Sequence, residues 1–361
     1  MPDFLTPLPP PFAEELVSWF RKHGRSLPWR KEYLPYHVWL SEIMLQQTQM
    51  ERGVSYFLRW IQRFPSLRDV AEASEEEILK YWEGLGYYRR ARNLKAAAEK
   101  ILERWKGELP QSPEELLQLP GVGEYTAGAI ASIAWNRRVP AIDANVERFF
   151  ARYLDWEGSP KEKGFRRTLA SLIEKAMEEY APREITQALM EFGALCCTPV
   201  KPGCERCPLE KRCLARLRHV VPLRPRQEKK KASVRRIVIV GVLQDVRGNY
   251  LLCRRPEGEI LGGLWEFPGV EVPGKKEVSR KILENFFREK GFAVRVEERL
   301  CSVRHSYTVN RVLLEVYRCS WRKEPPFFMP EGFFLISPCE LEVLSFHAGG
   351  RKILEEIKRR A

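Results

Sequence analysis

Between residues 11 and about 195, apolar side chains return every three or four positions, and nowhere in that span do they alternate. FAEELVSWFRKH, VWLSEIMLQQTQ, RGVSYFLRWIQRF, RRARNLKAAAEKILERW and KGFRRTLASLIEKAMEEY all carry the spacing of an amphipathic helix. Start signals agree. Ser74 precedes Glu75-Glu76-Glu77, and Ser112-Pro113-Glu114-Glu115 sets a cap, a first-turn proline and a capping-box glutamate in order. The pattern then stops. RLRHVVPLRPRQEKKKASVRR (216–236) holds nine basic residues, one acid and two prolines, and offers little to bury. It reads as an extended tether. Beyond it, IVIVGVL and NYLLCRR read as strands around the turn DVRGN, SRKILENFFREKG as a helix, and RVLLEVYRC as another strand. The expectation is therefore a multidomain chain. Residues 1–215 form an all-α domain, 216–234 a basic linker, and 235–361 a small α/β domain.

At 361 residues the chain is too long for one ordinary core. No run of eighteen apolar residues is present, so no membrane-spanning helix is expected. MPDFLTPLPPPFAEEL lacks the basic segment and apolar core of a secretory signal. A reducing cytoplasm of bacterial type, close to the nucleoid, is the expected compartment. The net charge of +13 favours a polyanionic partner, most simply nucleic acid.

Five of the nine cysteines fall within CCTPVKPGCERCPLEKRC (196–213). Four fit the spacing C-x6-C-x2-C-x5-C: Cys197, Cys204, Cys207 and Cys213. In a reducing compartment they read as metal ligands rather than disulfides. Four thiolates suit zinc or an iron–sulfur cluster, and spacing alone does not choose between them. Cys196 is left over as a packing residue. The loop also carries Lys201, Arg206, Lys211 and Arg212, which can meet a phosphate backbone.

LPGVGEYTAGAIA (119–131) places Gly121, Val122 and Gly123 between two helices. The glycines make a tight hairpin, and the following helix begins with backbone N–H groups at its positive dipole end. That geometry grips a phosphate without reading sequence.

Taken together, SLPWR (26–30), PYHVWLSEIMLQQTQ (35–49), GLGYYRRARNL (84–94), LPGVGEYTAGAI (119–130), AIDANVERFFAR (141–152), TQALMEFGALCC (186–197) and LGGLWEFPG (261–269) resemble the endonuclease III superfamily of helix-hairpin-helix DNA glycosylases. Within it, the chain is similar to the MutY-type adenine DNA glycosylases, over nearly its whole length. The resemblance implies excision of adenine mispaired with 8-oxoguanine or guanine, base flipping, a [4Fe–4S] cluster on the four cysteines, and a monomer acting on duplex DNA. Tyr125 stands where strand-cleaving relatives carry a lysine, and tyrosine has no amine for a Schiff base. The implied enzyme is monofunctional and leaves an abasic site.

The same resemblance assigns roles. Glu42 is the general acid at adenine N7, in an apolar helix whose burial would raise its pKa. Asp143 faces the sugar as nucleophile or electrostatic stabiliser in a retaining reaction. Asn145 and Tyr125 support Asp143. Arg25, Leu27, Trp29, Arg30, Gln187 and Met190 build the adenine pocket. Gln47 and Thr48 fill the gap in the duplex, and Leu85 and Tyr87 wedge near the orphan strand. Residue 144 is alanine where the family usually has glycine, which would be strained if the backbone needed positive φ.

Residues 235–361 resemble the Nudix-like recognition domain of the same family. The hydrolase box is degenerate in ENFFREKGF (284–292), with Arg288 at a metal-binding glutamate position, so a magnesium-dependent pyrophosphatase is not expected. The lesion-sensing Phe-Ser-His loop of the family matches Tyr307, Thr308 and Val309 here. Loss of the imidazole implies weakened preference for 8-oxoguanine, unless His305 partly substitutes. Two alternatives remain at this level: a thymine glycosylase for G·T mismatches, and a non-catalytic lesion-binding protein.

Overall fold

The computed structural model describes residues 12–226, 232–272, 280–307, 309–323, 325 and 328–360. The chain forms two compact units: residues 1–73 with 92–229, and residues 74–91 with 230–361. The second unit therefore takes in a segment that sequence order places inside the first domain.

The first unit is helical. It contains α1 (Ala13–His23), α2 (Pro35–Leu45), α3 (Met50–Arg63) and α4 (Leu67–Glu72). After the excursion through α5 (Glu75–Trp82), which belongs to the other unit, it resumes along α6 (Arg89–Trp105). It continues with α7 (Pro113–Leu116), α8 (Glu124–Trp135), α9 (Ala144–Tyr153), α10 (Lys163–Glu179), α11 (Pro182–Leu195) and the short α12 (Leu214–Leu217). Ser74 and Ser112 cap α5 and α7 as the sequence implies, accepting from the N–H groups of Glu77 and Glu115. The aromatic core of this unit, with Phe149, Phe150, Tyr153, Phe165 and Phe192, is gathered by α1, α9, α10 and α11. α8 carries small residues because it runs close to its neighbours: a Cβ at Gly128 would lie 2.5 Å from the Pro140 carbonyl oxygen. No helix among the described residues is long and apolar enough to cross a membrane.

The basic segment after α12 is not an extended tether throughout. Arg218 and Arg224 both pair with buried Asp155, and Arg224 also reaches Glu157. Two guanidiniums on one buried carboxylate dock this stretch on the first unit, and residues 227–231 lie outside the described residues.

The second unit holds β1 (Val234–Leu243), β2 (Tyr250–Arg254), β3 (Trp265–Glu266), β4 (Gly269–Val272), α13 (Arg280–Glu289), β5 (Val294–Tyr307), β6 (Asn310–Trp321), β7 (Phe333–Ile336) and α14 (Ala348–Arg360). One sheet runs β4-β1-β6-β5, with β1 and β6 parallel, and the other runs β3-β2-β7. β1 and β2 thus leave the Asp245–Asn249 turn for different sheets. The continuous apolar run of β1 follows from burial on both faces: Ile239 packs with Leu283 and Phe287 of α13, Val240 with Ile353 and Leu354 of α14. α5 packs in this unit through Glu83, which takes a two-pronged ion pair from Arg351 at 2.6 Å and 2.8 Å.

Candidate active site

Pro35 starts α2 at a position where its missing N–H costs nothing, and the helix then runs buried from Val38 to Met44. Glu42 is carried into that apolar setting. Burial raises its pKa to about 7, helped by the charge of Asp143 and opposed by Tyr125 and Arg30. Tyr125, in the first turn of α8, donates its phenolic hydrogen to Glu42 Oε2 at 2.8 Å. The phenol itself is pushed far above its ordinary pKa by burial and by the two carboxylates. This corrects the expectation that Tyr125 steadies Asp143: it steadies Glu42.

Asp143 caps α9. Its Oδ1 accepts from the N–H groups of Asn145 and Val146 at 2.9 Å and 2.8 Å. Its Oδ2 accepts from the Asn145 amide at 2.8 Å. Burial raises the Asp143 pKa, and these three donors oppose the rise. The sense of the Asn145 amide is fixed because its oxygen accepts from Arg148 Nη2 at 2.8 Å. Arg148 also donates to the carbonyls of Gly193 and Cys197. Asp143 is therefore cap and site residue at once. Ala144 is the first residue of α9 and is not among the positive-φ positions, so alanine there carries no strain.

One cavity of about 480 Å³ brings these carboxylates together with Arg25, Leu27, Trp29, Arg30, Gln187 and Met190. Its size lies in the range of roughly 300–1,000 Å³ typical of small-molecule sites. Gln47 and Thr48 line the same cavity, Gln47 exposed and at φ 57°. Three residues that the sequence did not single out, Tyr33, Arg183 and Glu191, organise it. The Gln187 amide nitrogen donates to the Arg183 carbonyl at 3.1 Å and to the Tyr33 hydroxyl at 3.2 Å. Its oxygen is left buried without a partner. Arg25 and Arg30 converge on Glu191, at 2.7 Å and 3.1 Å. Glu191 lies one helical turn beyond Gln187, so i, i+4 spacing on α11 was the available signal.

Elsewhere the expected residues divide. At the hairpin, Gly121 sits at φ 80°, Val122 is buried, and Gly123 begins α8 with no side-chain cap. The first amides of α8 are thereby left for an anion. A Cβ at Gly121 would meet Asn93 at 2.9 Å, so glycine is required twice over there. Tyr87 is 45% exposed, whereas Leu85 is buried at 6%. In the second unit, Tyr307 ends β5, Asn310 begins β6, and Val309 is exposed in the turn. Thr308 lies outside the described residues. His305 faces inward, stacked on His347 at 5.3 Å, and burial lowers its pKa to about 4. Glu284 of the degenerate box accepts from the Val296 N–H and pairs with Arg322.

The cysteine loop closes on itself. Cys197, Cys204, Cys207 and Cys213 line one small cavity with Cys196, walled by Phe149, Tyr153 and Phe192. Among the described residues no group of thiols, imidazoles or carboxylates has the arrangement of a bound metal ion. The donor set nonetheless fits a four-thiolate group: the four spaced thiols share an apolar-walled recess. Arg152 donates to the carbonyls of Thr198 and Pro199 and to Cys197 Sγ, holding the loop from α9. Arg212 pairs with Glu15 while its side chain stays partly exposed.

Comparison with known proteins agrees with this geometry. Residues 40–175 match the HhH-GPD superfamily of base excision DNA repair proteins, and residues 239–356 match the NUDIX domain. The adenine DNA glycosylase of Mus musculus is 33% identical over 89% of this chain and 73% of its own length. That of Buchnera aphidicola subsp. Acyrthosiphon pisum is 35% identical over 71% of this chain and 73% of its own. For the Homo sapiens enzyme the identity is 34%, over 75% of this chain and 60% of the human one. A solved thermostable thymine-DNA glycosylase superposes on 57% of the chain and 95% of its own, with TM-score 0.52 and 26% identity. With a helical excision domain, a NUDIX domain and these relatives, the chain belongs to the adenine DNA glycosylase family and is a DNA glycosylase of base excision repair.

Proposed function

We propose that this chain, as a monomer on duplex DNA, flips out an adenine paired with 8-oxoguanine or guanine, hydrolyses its N-glycosidic bond and leaves an abasic site. The observation that carries the reading is the pairing of Glu42, with a pKa near neutrality, and Asp143 in one base-sized cavity. Cleavage needs a proton on the leaving purine and a negative charge beside the developing oxocarbenium ion. Because Tyr125 donates to Oε2, Glu42 carries its proton on Oε1, and that oxygen protonates the purine. Asp143, held by Asn145 and the start of α9, stabilises or captures C1′. Glu42, now ionised, deprotonates the incoming water.

The unpartnered Gln187 oxygen supports adenine over guanine and thymine. An acceptor fixed in that position complements the exocyclic amine of adenine. It opposes the carbonyl that guanine and thymine present at the corresponding edge. That argues against a thymine glycosylase despite the fold shared with one. The two carboxylates argue against a purely binding protein.

Cys197, Cys204, Cys207 and Cys213 would hold a [4Fe–4S] cluster, which would cross-link the loop that follows α11 and that Arg152 of α9 holds. The loop's exposed Lys201 and Lys211, the Gly121–Gly123 hairpin and the Gln47–Thr48 turn would then grip the duplex. In the second unit, Tyr307, Thr308 and Val309 would sense the lesion.

The test is single-turnover cleavage of duplexes with adenine opposite 8-oxoguanine, guanine or cytosine, read with and without alkali. Breaks only after alkali, fastest opposite 8-oxoguanine, support a monofunctional adenine glycosylase that prefers the lesion. Equal rates opposite guanine remove the lesion preference, and no adenine release sinks the adenine assignment.

A further inference from the structure

Glu191 is 1% exposed, lies on the wall of the base cavity and takes no direct part in the chemistry outlined above. It accepts from the backbone N–H of Arg25, from Arg25 Nε and Nη2, and from Arg30 Nη2, at 2.7–3.2 Å. Burial works against its charge, but the Arg25 hydrogen bonds and the Arg30 charge hold its carboxyl below the usual range. It is an anion with two cations on it. Arg30, anchored also on the Arg25 carbonyl at 2.9 Å, is in turn the cation that favours ionised Glu42.

We infer that Glu191 is a positioning residue for the acid step: by neutralising Arg25 and Arg30 it keeps Glu42 protonated at working pH and holds both guanidiniums along the base cavity. The charged or titratable groups around Glu42 are Tyr125 from α8, Asp143 at the start of α9, and Arg30 from the turn before α2. Tyr125 and Asp143 are fixed by contacts that do not involve Glu191. Arg30 alone is modulated by it. Arg30 and Glu42 line the same cavity, and an opposite charge near a carboxyl favours its ionised form, so an uncompensated Arg30 shifts Glu42 toward ionisation. This inference rests on the proposed role of Glu42.

The experiment is the pH dependence of single-turnover adenine release by the full chain, wild type beside Glu191→Gln, Arg30→Gln and the double variant. Infrared titration of the Glu42 carboxyl, referenced to Glu42→Gln, runs in parallel. In Glu191→Gln the alkaline limb and the carboxyl titration move down together, by up to about one pH unit. In Arg30→Gln both move up, and in the double variant both return toward wild type. Glu184→Gln, a surface carboxylate on the same helix that pairs with Arg21, leaves both in place. A uniform loss of rate with unmoved limbs would overturn the inference and leave Glu191 a packing residue. If Glu191→Gln does not fold, an unmoved limb in Arg30→Gln overturns it equally. Failure of the adenine assignment is separately visible, as a wild type that releases no adenine while its Glu42 titration still responds to Glu191.

Discussion

At the residue scale, everything turns on Glu42 being expensive to bury. Its folded pKa of about 7 exceeds the ordinary 4.5, so the native state binds a proton that the unfolded chain has already released. Stability is then greatest below about pH 4.5 as far as this group is concerned and falls as pH rises through 7. Glu42→Gln removes that cost. Denaturant unfolding at pH 5 and pH 8 should show the variant gaining on wild type mainly at the higher pH. The gain is on the order of 3 kcal/mol at most, at about 1.4 kcal/mol for each tenfold change in proton affinity. The same variant should lose adenine release by roughly 10²–10⁴-fold, the usual worth of a general acid. A Glu42→Gln protein that kept wild-type rates would remove the acid role. The residues were legible here to different degrees. Glu42 and Asp143 stand in dense motifs, whereas Tyr33 and Glu191 act only through partners more than 150 positions away in the chain.

At the element scale, the site depends on how closely α9 and α11 approach. Gly193 faces Asn145, and a Cβ there would sit 2.6 Å from the Asn145 Cβ. Gly193→Ala must push the helices apart or tilt Asn145 off Asp143. Overpacking of this kind costs about 1–3 kcal/mol. The expected result is a lower denaturation midpoint together with slower single-turnover cleavage, while DNA affinity stays near wild type. Loss of stability with an unchanged rate would mean that Asp143 does not need this contact. The helices were readable from their periodicity, and their caps from serine placement. Their packing was not. The two-sheet split of β1 and β2 was equally hidden, since a turn between two apolar runs looks the same whether or not the strands pair.

At the scale of the whole molecule, a net charge of +13 and several basic surfaces make duplex affinity an electrostatic quantity. Between 50 mM and 200 mM salt, affinity for undamaged duplex should fall by roughly 10³-fold or more if six or more phosphates are contacted. A flat salt response would remove the backbone-gripping role of the basic surfaces. Lesion preference is a separate, smaller term. Restoring an imidazole with Val309→His, at an exposed turn, should raise the preference for 8-oxoguanine over guanine by up to about tenfold, the worth of one hydrogen bond. Competition binding with a non-cleavable adenine analogue reads that difference. The helical and α/β halves, the two carboxylates, the four spaced cysteines and the family were legible without a structure, because each is written in local spacing or contiguous motifs. It took the folded chain to show that Tyr125 serves Glu42, that Leu85 is buried, that residues 74–91 pack with the second unit and that Glu191 balances two arginines. Those outcomes depend on which distant side chains share a buried space, and burial and mutual charge are properties of the assembled core, not of any segment.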